Sequence, residues 1–89
     1  MAIEVERVND GTFQVTVQAG TTTIHKVTVA PEYHQRLTGG KVSEEELVKQ
    51  SFAFLLEREP NTSILRQFDL PVIQSYFPEY EKTMKRQIG

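Results

Sequence analysis

The longest apolar pattern in the chain runs from Ser43 to Glu59 and stops at Pro60. Ser43 is a good N-cap, because its hydroxyl accepts a hydrogen bond from a first-turn N–H. Glu46, three residues on, completes a capping-box pattern. Glu44, Glu45 and Glu46 lie at the positive end of the helix dipole. Val42 stands where a hydrophobic staple would meet Leu47. Pro60 has no N–H and disfavours helical backbone at Glu59, so the helix is expected to stop near Arg58 or Glu59. At about 100° per residue, Leu47, Val48, Phe52, Leu55 and Leu56 share one face, and Phe54 widens it. That arc is roughly 200° wide, well beyond the ~100° stripe needed to cover one surface. The pattern thus predicts a central helix that a sheet alone does not satisfy. Its second cover must come from the C-terminal residues, a second copy of the chain or another protein. Ser51, inside this face, reads as a small residue bonding back to its own helix.

Before the helix, residues 3–30 alternate apolar and polar positions and predict a three-stranded antiparallel meander. Ile3–Glu6 opens it. Asp10-Gly11 signals a type I′ hairpin. Thr12–Ala19 is the cleanest strand, Gly20 begins the second turn, and Thr22–Ala30 is rich in β-branched residues. The phase puts Ile3, Val5, Phe13, Val15, Val17, Val27 and Val29 on an inner side, with His25 in step. Glu4, Glu6, Gln14, Thr16, Gln18, Lys26 and Thr28 form a wet outer side. The outer strands are expected to leave open edges.

Pro31–Leu37 predicts one or two helical turns with Tyr33 and Leu37 on one face. Thr38-Gly39-Gly40-Lys41 breaks them. After Pro60, a short helical turn is predicted over Ile64–Phe68, capped from Asn61-Thr62-Ser63. Asp69 is the expected cap of a second, Leu70–Phe77. Past Pro78, Glu79 to about Gln87 predicts a last helix, along which Tyr80, Met84 and Ile88 make a narrow stripe. The expected fold is α+β: a three-stranded antiparallel β-meander, one long central helix, and short C-terminal helices that clamp its second flank. One domain is expected over residues 1–89, with the meander in 3–30 and the helical part in 31–89.

Composition narrows the function classes. Ten Lys and Arg stand against twelve Asp and Glu, a net charge of −2, which speaks against a general nucleic-acid binder. The absence of cysteine excludes disulfides, thiol catalysis and cysteine-ligated zinc. No apolar run approaches the ~18 residues of a membrane span, and the first residues carry no signal-peptide core. A soluble, cytoplasmic protein with no membrane partner is expected. His25 and His34, with Glu32 as a third ligand, fall short of the matched set a metal needs. No metal and no cofactor are expected. Thr38-Gly39-Gly40-Lys41 departs from a phosphate-binding loop, since Val42 stands where Ser or Thr should ligate magnesium. It reads as a connector. The glutamates of the central helix read as solvated faces and ends.

No nucleophile, base or paired-acid constellation emerges, so no catalytic residue is assigned. The residues best suited to contact a partner are Tyr33 and His34 at the sheet end, Arg58 and Asn61 in a polar corner with Glu59 and Thr62, Tyr76 in the helical clamp, and the later cations Arg66, Lys82 and Arg86. Tyr33 to Glu81 carries Leu37-Thr38-Gly39-Gly40, the run Ser51 to Leu65, and Phe68-Asp69-Leu70-Pro71-Val72-Ile73. This block resembles a family of short bacterial proteins with no assigned function, over somewhat more than half the chain. The resemblance implies a bacterial cytosolic protein and transfers no activity. The leading expectation is a non-enzymatic protein–protein interaction module, binding a protein partner or itself as a homodimer. The alternatives are a small, antitoxin-like regulator binding nucleic acid through Arg66, Lys82, Lys85 and Arg86, and a small enzyme or ligand binder using His25 or His34 with Tyr33.

Overall fold

A computed structural model describes residues 1–89. Three strands, β1 (Ala2–Asn9), β2 (Thr12–Ala19) and β3 (Thr21–Thr28), pair antiparallel in sequence order. Helices α1 (Pro31–Thr38) and α2 (Glu44–Leu56) follow. A 3₁₀ turn at Asn61–Ser63 leads to a short strand, β4 (Gln67–Asp69), then α3 (Val72–Tyr76) and α4 (Tyr80–Ile88). The fold is α+β, built on a four-stranded mixed sheet of order β1-β2-β3-β4.

β4 corrects the expected helical turn over Ile64–Phe68. It runs parallel to β3, with Val27 opposite Phe68. A parallel neighbour needs a long crossover, which α1, α2 and the 3₁₀ turn supply. Lys26 N–H donates to the Arg66 carbonyl at 2.8 Å and Leu70 N–H to that of Thr28 at 2.9 Å. The sheet therefore has four strands, and its edge at β3 is partly covered.

The predicted inner side is the observed core. Phe13, Val15, Val17 and Val27 are fully buried, with Leu47, Val48 and Phe52 of α2 against them. The first hairpin is not type I′, which needs positive φ at both central residues. Only Gly11 has it, at 78°, and the register shifts between Arg7 and Asn9.

Ser43 caps α2 as expected, its hydroxyl accepting from Glu46 N–H at 3.0 Å. Glu46 does not close the box; its carboxylate accepts from Gln50 instead. The helix ends at Leu56 rather than near Arg58. Arg58 and Glu59 N–H both bond the Leu55 carbonyl in a tightened last turn. Asp69 does not cap α3 through its side chain; it accepts from the Thr28 hydroxyl across β3 and β4. The second flank of α2 is covered from within the chain. Phe54 meets Phe77 at 6.0 Å and Tyr80 at 5.3 Å, both edge-on. Tyr80 and Met84 are fully buried. No helix is long and apolar enough to cross a membrane.

Candidate functional site

The end of α2, the segment that follows it, β4 and α3 enclose an apolar cleft of about 250 Å³. The cleft exists because α3 is only one turn long, held between Pro71 and Pro78, and cannot roof the whole end of α2. Leu55, Ile64, Phe68 and Ile73 form its buried floor. Leu65, 46% exposed, and Tyr76, 64% exposed, stand bare at the rim. Two polar residues, Glu59 and Ser63, complete the lining with Val72 and Phe77. Burial pushes the Glu59 carboxyl above its ordinary value, because desolvation disfavours the ionised form. No cation lies within ion-pair distance of it.

A buried polar chain anchors the wall that carries Leu65. His25 Nδ1 lies 2.8 Å from the Leu65 carbonyl, and His25 Nε2 lies 2.8 Å from Thr23 Oγ1. A carbonyl only accepts, so Nδ1 carries the proton and the neutral ring accepts the Thr23 hydroxyl at Nε2. The Asn61 amide donates to Thr23 Oγ1 at 2.9 Å and to the Thr21 carbonyl at 2.8 Å. Each group in this chain is satisfied, and the residues between Asn61 and Leu65 are pinned to β3. Burial pulls the His25 pKa below its ordinary value, with Arg66 acting in the same direction; the bond to Leu65 opposes them. The ring is fully buried and meets Phe52 edge-on at 5.2 Å.

Of the eight candidate contact residues, Tyr76 alone lines the cleft, and Asn61 anchors its wall. The Tyr33 hydroxyl donates to Glu81 at 2.9 Å, where Arg36 also pairs at 3.2 Å. This cluster ties α1 to α4. Desolvation, with Tyr80 and Glu81 nearby, raises the Tyr33 pKa. His34 Nε2 lies 2.6 Å from the Val42 carbonyl. Arg58 bonds Glu79 at 3.0 Å and the Phe54 carbonyl at 3.0 Å, and lies over the Phe54 ring at 3.5 Å. Arg66, Lys82 and Arg86 are exposed, and none has an acidic partner within ion-pair distance.

His25, His34 and Tyr33 do not share a cavity, and no three His, Asp or Glu side chains gather as a metal site would need. Ser51 donates to the Leu47 carbonyl at 2.7 Å, as the sequence predicts, and lies 2.6 Å from the Tyr80 hydroxyl. The sequence places Glu59 in the polar corner with Arg58 and Asn61, and Leu65 among the apolar residues of the clamp, but neither at a cleft. Their signal is slight: an acid just before Pro60, and one leucine beyond what a buried turn requires.

Two other surfaces are open. A polar concavity at the sheet end is bounded by Asp10, Thr28 and Asp69. The outer edge of β1 has no strand beyond it, and Glu4 and Glu6 stand exposed there. No family model, curated protein or solved structure matches this chain, so the functional reading rests on its own geometry.

Proposed function

We propose that the protein is a non-enzymatic interaction module that docks a partner protein through the cleft between α2, β4 and α3. One observation carries this reading: bare Leu65 and Tyr76 rim an apolar hollow whose wall is pinned to the sheet. Apolar and aromatic anchors seated in pre-formed hollows dominate protein interfaces. At about 250 Å³ the hollow falls below the ~300–1,000 Å³ typical of small-molecule sites. It suits one or two side chains of a partner. Rigid walls favour such docking, since little ordering entropy is lost on binding. The outward cations Lys82, Lys85 and Arg86 of α4 offer few phosphate contacts beside an acidic body.

Site-specific photocrosslinking in the source cell tests the proposal. Tyr76→benzoylphenylalanine is expected to yield a discrete adduct with another protein. The same substitution at exposed Gln35 of α1 should yield none. No adduct at position 76, or the same adducts at both positions, contradicts the reading.

A further inference from the structure

We infer that the cleft selects a protein segment that carries an aliphatic or aromatic side chain beside a lysine or arginine, the cation settling on Glu59. This rests on the docking reading and adds the chemistry of the partner. Glu59 is the only carboxylate of the lining. Its one neighbouring cation in sequence is already engaged: Arg58 binds Glu79, Glu57 and the Phe54 carbonyl. Arg66, the next cation along the chain, has no ion pair with Glu59. Glu59 thus keeps a partly desolvated charge at an apolar surface without compensation, which is costly unless a cation is supplied. A basic side chain whose neighbour fills the hollow supplies it. An anionic or purely apolar segment leaves the carboxylate buried alone, and the difference sets specificity.

A second copy is the competing occupant, because Ile24, 53% exposed, and Lys26 share the outer sheet face. That contact joins two different surfaces, so it would build a head-to-tail ring or filament. A distinct partner avoids this.

The test pans a display library of random twelve-residue peptides against the full chain. Selected peptides are then titrated into the wild type, Glu59→Gln, and the double variant Leu65→Ser with Tyr76→Ser. Glu59→Gln keeps the fold, since it removes a charge that burial disfavours. The expected result is enrichment of Lys or Arg within two residues of an aliphatic or aromatic one. Binding should weaken at least tenfold in Glu59→Gln and vanish in the double variant. Peptides without a basic residue that bind wild type and Glu59→Gln alike, yet fail on the double variant, overturn the charge selection and leave the docking reading standing. No enrichment, or binding that ignores the double variant, overturns both. Concentration-dependent oligomers of wild type that disappear in Ile24→Ser assign the cleft to a second copy and overturn the inference.

Discussion

His25 is buried, yet its two nitrogens are matched by one carbonyl and one hydroxyl. Burial disfavours the charged ring, and Arg66 adds to that effect. The folded pKa therefore lies below the unfolded value of 6.5, and the sign of the linkage follows. Stability is full above that value and is lost as pH falls through the folded pKa. Denaturant melts from pH 8 to pH 5 should show wild type losing stability that His25→Gln does not lose. Parallel curves would refute the assignment. Ser51 and Tyr80 make a second test. Ser51 donates to Leu47, so the Tyr80 hydroxyl donates to Ser51. Tyr80→Phe deletes that donor and leaves no unpaired one, at a cost of about 1 kcal/mol. Ser51→Ala strands a buried phenol and should cost about 2 kcal/mol. Urea titrations giving the reverse order would contradict this direction of donation.

At the scale of elements, α2 follows its pattern closely. The wide apolar arc demanded two covers, and Phe77, Tyr80 and Met84 supply the second. Phe54→Ala should cost about 3–5 kcal/mol, as large aromatic truncations in cores do. It should also strip hydrogen-exchange protection from the amides of α4 before those of β2. Equal loss in both would mean that Phe54 does not hold the helix. The meander was legible because period-two alternation is long and clean in β2. β4 was not, because three residues give too little periodicity to separate a strand from a turn. What makes Phe68 a strand residue is its partner Val27, forty-one positions away. The candidate site was least legible. Tyr76 showed itself as an aromatic on a short helix. Glu59 and Leu65 gain meaning only once His25, Thr23 and Asn61 fix where their segment lies.

At the scale of the molecule, β1 is the open edge and its charges bear on assembly. Antiparallel pairing of β1 with another β1 overlaps most, with faces matched, in the registers that place Glu4 opposite Glu6 or Glu6 opposite itself. Like charges directly opposed are destabilising, a common way of guarding an edge. Wild type should therefore not dimerise through this strand. Glu6→Lys, which brings an ammonium opposite Glu4, should raise the dimer fraction in sedimentation. A variant as monomeric as wild type would show that the edge is guarded by something else. With that edge guarded, the proposed docking surface remains the cleft. Its character can be measured before any partner is known. Methyl NMR spectra of Ile64, Leu65, Val72 and Ile73 should be followed while phenethylammonium, and separately phenylacetate, is titrated into the protein. Saturable shifts at these methyls with the ammonium and none with the carboxylate are predicted. No saturable shift with either probe, or equal shifts with both, would contradict a cleft built for an apolar group bearing a positive charge.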